Sequence, residues 1–155
     1  MGSERMRDRI LAVEYYGTKH QGEYSILGWI EGPAAEAADL RGTANFLVDL
    51  VDDEVFASEL MDICVETGID FARAQLQAGA DTIGIGDAIA SQIDPKTYEK
   101  LILPREKKLV DAIHGAGGYV KLHICGNIVH LLQGIASLGI DIIDVDHMVP
   151  LSLVR

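Results

Sequence analysis

The sequence predicts an α/β fold built on a parallel sheet with right-handed crossovers, and two observations carry that expectation. Short apolar runs bounded by Gly, Pro or Asp alternate with longer stretches of helical period, in the order strand, helix, strand, helix, strand, helix, strand. Each apolar run also ends on polar residues, so four strand ends present Glu31, Asp87, His123 with Cys125, and Asp146 with His147 on one rim. In parallel α/β architectures the carboxyl ends of the strands are where chemistry is done. A closed eight-stranded barrel takes about 250 residues, so four units amount to half of one. Three arrangements satisfy the pattern: a piece of a longer barrel, two copies that complete each other, or an open sheet wound on both faces.

The elements follow in order. Arg5 to Tyr16 carries Met6, Ile10 and Val13 at helical spacing and is expected to stop at Gly17. Tyr24 to Ile30 reads as a buried strand that Glu31-Gly32-Pro33 breaks. Ala34 to Leu40 and Thr43 to Leu50 form a helix pair interrupted at Gly42. Asp52 or Asp53 caps the longest helix, with Phe56, Leu60, Ile63, Cys64, Phe71 and Ala74 as its buried face. Ala80 to Gly86 is the second strand. Asp94-Pro95 opens a further helix in which Pro104 predicts a kink. Gly115, Gly117 and Gly118 turn into the strand Val120 to Cys125, where period-2 alternation sends His123 and Cys125 to the same face. Asn127 is placed to cap the next helix, Gly139 ends it, and Ile140 to Asp146 is the fourth strand.

Composition narrows the class. At 48% hydrophobic residues the 155-residue chain is globular and long enough for one domain, residues 1–155, with a real core. A net charge of -11 without any run of Lys or Arg interleaved with aromatics argues against a nucleic-acid surface. No apolar run approaches the roughly 18 residues of a membrane span, and the polar Met1–Arg9 start has no signal-peptide core, which together suggest a cytoplasmic protein. The two cysteines, Cys64 and Cys125, are expected as reduced thiols, Cys64 as a small core residue.

An imidazole and a thiol two apart on a strand are candidate metal ligands, His123 and Cys125, although a catalytic zinc site takes three protein ligands and an open position. Lys121 shares their face and must pair with a carboxylate or tilt away. Asp87 and Asp146 are the candidate catalytic groups, each able to point into a pocket mouth or to cap the following helix. Glu31 and Gly32, at the first strand's end, are the candidate cofactor-contacting positions.

Several segments, Trp29-Ile30-Glu31-Gly32-Pro33, Ala78 to Asp81 with Ile85-Gly86-Asp87, Asp94-Pro95 with Tyr98 and Pro104, His123-Ile124-Cys125-Gly126-Asn127, and Leu138-Gly139-Ile140-Asp141 through Asp146, resemble the uroporphyrinogen decarboxylase superfamily. Within it the chain looks like the corrinoid-linked methyltransferases, such as the methylcobamide:coenzyme M enzymes. The resemblance implies a (β/α)8 TIM-barrel fold, here about half a barrel. It also implies zinc held by His123, Cys125 and a second cysteine that has no counterpart in this chain. A partner corrinoid protein would present the methyl group, and a zinc-bound thiol substrate would accept it. Asp87 and Asp146 would then orient His123 through its other ring nitrogen or shape the substrate mouth. The alternatives are porphyrin decarboxylation of the uroporphyrinogen decarboxylase type, and a catalytically incomplete fragment that binds a corrinoid or a partner chain. A half barrel leaves two strand edges bare, so association, as a homo-oligomer or as part of a longer chain, is expected.

Overall fold

The computed structural model describes residues 3–20 and 22–154; Met1, Gly2, Gln21 and Arg155 lie outside them. Four strands, β1 (Leu27–Glu31), β2 (Thr82–Gly86), β3 (Tyr119–Ile124) and β4 (Ile142–Val145), pair in sequence order and all in parallel. Helix α1 (Glu4–His20) precedes them. The first crossover holds α2 (Pro33–Arg41), α3 (Thr43–Asp52) and α4 (Glu54–Gln77), the second α5 (Pro95–Thr97) and α6 (Leu103–Gly115), and the third the five-residue α7 (Leu132–Ala136). No helix among the described residues is long and apolar enough to cross a membrane.

The register divides the sheet into two faces. Ile30, Ile85 and Leu122 lie abreast, as do Ile83 and Val120, and all are 0–3% exposed beneath the helices. On the opposite face Trp29, Gly84, Lys121 and Ile142 share one rung, and Glu31, Gly86, His123 and Asp144 the next. The indole of Trp29 lies over the two glycines, and a Cβ on Gly86 would stand 2.7 Å from its Cζ2. Only glycine leaves room for the ring there.

Several elements differ from the sequence expectation for packing reasons. Gly17 does not end α1, which runs on to His20; it is a buried residue of that helix, where a Cβ would sit 3.1 Å from the Ala78 carbonyl and 3.2 Å from Gly79 Cα. The glycine is a close-approach point between two backbones rather than a stop. β1 begins at Leu27 rather than Tyr24, and β4 at Ile142 rather than Ile140. Asp53 is the cap of α4, accepting from the Phe56 N–H. The buried face of α4 is Ala57, Met61, Cys64, Val65, Ile69, Ala72 and Gln75, whereas Phe56 and Ile63 are exposed. The shift follows from the alanine-rich α2, which packs against α4 and approaches closely because Ala34, Ala35, Ala37 and Ala38 carry almost no side chain. Pro104 produces a π-turn over Tyr98–Ile102, closed by the Leu103 N–H donating to the Tyr98 carbonyl. Asn127 caps only a 3-10 turn: its side chain accepts from Val129 N–H before α7 starts at Leu132.

Candidate functional site

The uncovered face of the sheet delivers polar groups to the carboxyl ends of β1, β3 and β4. His123 and Cys125 stand on the same side, with Nε2 and Sγ 3.0 Å apart. The His123 Nδ1 lies 3.0 Å from the Asp144 carbonyl oxygen, which can only accept. The ring proton therefore belongs on Nδ1, and Nε2 presents its lone pair toward the thiol. Cys125 is exposed, so the pair is open to a ligand.

Lys121, one rung below, finds its carboxylate: Nζ is 3.0 Å from Asp144 Oδ2, which also lies 3.7 Å from His123 Nδ1. Asp144 thus answers both neighbours, its main chain to the imidazole and its side chain to the ammonium. Sequence reasoning passed over it. The signal was present in the alternation of Ile142, Asp144 and Asp146, but the parallel register that sets Asp144 beside His123 appears only when β3 and β4 pair.

The expectation that Asp87 faces a pocket mouth is corrected. Its carboxylate is fully buried and accepts from the Ala34 and Ala35 N–H groups at 3.3 and 2.7 Å, capping α2 rather than the turn that follows β2. Nor does its side chain orient the His123 ring, whose Nδ1 is held by Asp144; Asp87 meets His123 only through its own N–H, bonded to the His123 carbonyl. Asp146 does not touch the imidazole either. Its carboxylate accepts from Gly126 N–H at 3.0 Å and Met148 N–H at 3.3 Å, and so holds the turn that presents Cys125. Gly126 sits at φ +89°, a conformation that suits glycine.

Glu31 is exposed at the rim and accepts from the Trp29 indole N–H at 3.2 Å. Gly32 donates its N–H to the Gly86 carbonyl, and a Cβ there would fall 2.5 Å from the Asp87 carboxyl carbon. It is thereby a close-approach glycine between β1 and the buried aspartate, not a position facing the open side. Cys64 is buried 6% exposed in α4, and burial, followed by the charge of Glu36, pushes its thiol up to about 11.

Behind the sheet lies a buried acidic network absent from the sequence reading. Tyr98 donates its hydroxyl to Glu106 Oε2, and Glu106 and Asp87 are both 0% exposed. Burial pushes the Asp87 carboxyl up to about 7, against the lowering effect of the Ala35 and Ala34 amides. Burial and then the charge of Asp87 raise Glu106 well above the usual carboxylate range. Two enclosed carboxyls this close hold at least one proton between them near neutrality.

The donor set at the rim is an imidazole nitrogen and a sulfur converging on one point, which suits zinc. They are two donors, and no group of three or more His, Cys, Asp or Glu able to hold a metal occurs among the described residues. The pair fits zinc as two of the three protein ligands of a catalytic site. A cleft of about 910 Å³ lies elsewhere, between α1, β1 and α4, and is lined among others by Met6, Val13, Leu27, Phe71 and Gln75. Neither His123 nor Cys125 lines that cleft; Cys125 is exposed and His123 half-buried.

The family model for uroporphyrinogen decarboxylase (URO-D) matches residues 3–155. The chain is 36% identical over 140 residues to methylcobamide:CoM methyltransferase MtbA of Methanosarcina mazei, covering 89% of this chain and 41% of that protein. Methylcobamide:CoM methyltransferase MtaA of Methanosarcina barkeri is 29% identical over 140 residues, with 89% and 40% covered. A uroporphyrinogen decarboxylase of Saccharopolyspora erythraea is 32% identical over 95 residues, 59% of this chain and 26% of that one. The solved structure of a methyltransferase from Methanosarcina mazei superposes with a TM-score of 0.83 at 28% identity, covering 90% of this chain and 41% of that chain. The chain therefore spans about two fifths of the methyltransferases it matches, and its four parallel strands are about half of a TIM-type barrel. A family model that matches from Ser3 onward, on a half-barrel whose strands superpose on a methyltransferase, leads to one conclusion: the chain belongs to the uroporphyrinogen decarboxylase family.

Proposed function

We propose that residues 1–155 form one partial-barrel domain that contributes two of three zinc ligands, His123 and Cys125, to transfer of a methyl group from a corrinoid protein to a thiol. One observation carries the reading: Nε2 and Sγ converge within 3.0 Å at a strand's carboxyl end. It is supported by the similarity to methylcobamide:CoM methyltransferases of two Methanosarcina species. Zinc bound there would lower the pKa of an acceptor thiol and so supply a thiolate nucleophile near neutral pH.

The chain's own residues prepare that point. The Asp144 carbonyl holds the Nδ1 proton, leaving Nε2 as the ligating atom. Asp144 also neutralises Lys121, which would otherwise place a positive charge one rung below a cation site. Asp146 clamps the Gly126 amide and with it the direction of the Cys125 side chain. Zinc content after purification without chelator tests the reading, repeated on Cys125→Ser and His123→Ala. Co²⁺ titration followed by the thiolate-to-metal charge-transfer band gives a second readout. Binding that both substitutions abolish supports the pair as ligands. Unchanged binding removes it and favours the second reading, porphyrin decarboxylation, which the similarity to uroporphyrinogen decarboxylases supports. Asp146→Ala should weaken Co²⁺ binding about tenfold or more, with Asp146→Asn retaining most of it.

A further inference from the structure

On the open face of the sheet a gap separates β1 from the His123 and Cys125 pair. Above Thr82, β2 contributes only Gly84 and Gly86 to that face, so no side chain rises from the middle strand. The indole of Trp29 spans both glycines and is 36% exposed. Its main chain is fixed by Gln75, whose Oε1 accepts from the Trp29 N–H at 3.0 Å while Nε2 donates to the Trp29 carbonyl at 3.1 Å, a side-chain amide in the place of a neighbouring peptide. The ring is therefore a held shelf.

Glu31 stands on the next rung. Its Oε1 accepts from the indole N–H at 3.2 Å, and its Oε2 lies 3.2 Å from the point a Cβ on Gly86 would take, so the carboxylate leans over β2 on the rung it shares with His123. Among the described residues no lysine, arginine or histidine forms an ion pair with Glu31. Glu36 deepens the negative field: its carboxyl is raised by burial first, then by the charges of Asp39 and Glu31. Lys121 shares the rung of Trp29 but turns to the far side, where Nζ meets Asp144 Oδ2 at 3.0 Å. An exposed aromatic ring beside a carboxylate, with the neighbouring lysine drawn away, is built to receive a cation.

We propose that Trp29 and Glu31 bind an ammonium group of the methyl acceptor, so that the thiol served by this site is a short aminothiol. The two strand spacings between Glu31 and His123 put their main chains about 10 Å apart, with only Gly86 between them, which a short carbon chain from sulfur to nitrogen can cross. The assignment to the acceptor rests on the methyl-transfer reading; the cation site itself does not. In that transfer the acceptor's sulfur loses its proton and gains the methyl group, while the electron pair of the broken cobalt–carbon bond stays with the corrinoid. The ammonium is untouched, and the thioether product keeps its charge.

Trp29 is the single tryptophan, so its fluorescence reads the shelf directly. Three thioethers of similar size separate charge from shape: S-methylcysteamine, the uncharged S-methylmercaptoethanol and the anionic S-methylmercaptoethanesulfonate. On the metal-free full chain the ammonium compound should quench Trp29 with saturation in the millimolar range, the other two should bind about tenfold more weakly or worse, and Glu31→Gln should remove most of that preference. Saturation-transfer NMR should show the same compound bound about fivefold more weakly to Trp29→Leu. Equal binding of the sulfonate, or a preference that Glu31→Gln leaves intact, overturns the inference, as does the absence of saturation up to about 100 mM. On Co²⁺-loaded protein cysteamine should shift the absorption spectrum at about tenfold lower concentration than mercaptoethanol, and Glu31→Gln should level the two. A shelf that binds the cation while the Co²⁺ protein treats both thiols alike refutes its assignment to the acceptor. Protein that takes up no Co²⁺ sinks the zinc reading alone, since the metal-free titration still decides the shelf.

Discussion

Asp87→Ala separates a structural from a catalytic aspartate. In the wild-type chain the carboxylate accepts from two amides at the start of α2, those of Ala34 and Ala35, which are 0% and 7% exposed. Truncation leaves both donors without a partner in a place water does not reach, at about 1–3 kcal/mol each. Part of that is returned, because Glu106 no longer faces a neighbouring negative charge. The net loss should be about 2–4 kcal/mol, or roughly 5–15 °C in Tm for a domain of this size. Urea unfolding followed by the fluorescence of Trp29, the single tryptophan, measures it directly. Co²⁺ binding at His123 and Cys125 should be unchanged under conditions where the variant is folded. A stability loss under about 1 kcal/mol, or weakened metal binding in a variant of wild-type stability, would refute the assignment of Asp87 to the capping of α2.

Two further outcomes follow from the buried polar groups. Asp87 has its folded pKa raised by burial to about 7, so the stability it contributes as a protonated group is full below its ordinary value of 3.8 and is lost as pH rises through about 7. The unfolding free energy should fall between about pH 4 and 7 with a slope of up to one proton, and Glu106→Gln should flatten that slope. Asp81, Asp141 and Asp146 are lowered and contribute the opposite sign, lost as pH falls below the ordinary carboxylate range, so the stability profile is a dome. Gln75→Leu strips the Trp29 main chain of both bonds; since the cleft beside it admits water, the cost should be about 1–2 kcal/mol by urea unfolding. A neutral result there would show that the β1 edge does not depend on its side-chain substitute.

Much of this protein was legible as a string. Alternation along β3 put His123 and Cys125 on one face without reference to any other element, because side-chain direction in a strand is local. The order of strands and helices was equally local, set by periodicity and by Gly and Pro punctuation. The parallel sheet, the proline-induced disturbance near Tyr98 and a cap at one of Asp52 and Asp53 also emerged as the residues suggested, whereas the pairing of the strands in sequence order is known only from the folded sheet.

Other features arise only when distant segments meet. Gly17 reads as a stop until Gly79 comes against it, and Phe56 reads as core until the small side chains of α2 turn α4 about its axis. Asp87 precedes a turn in sequence but caps a helix some fifty residues earlier, since its direction is chosen by unpaired amides and not by chain order. Asp144 becomes the companion of His123 and Lys121 through the parallel register, and Glu106 becomes a buried acid through the docking of α6 against α4 and β3. Periodicity governs which way a residue faces; what it faces is set by the packing of segments whose separation along the chain leaves no local trace.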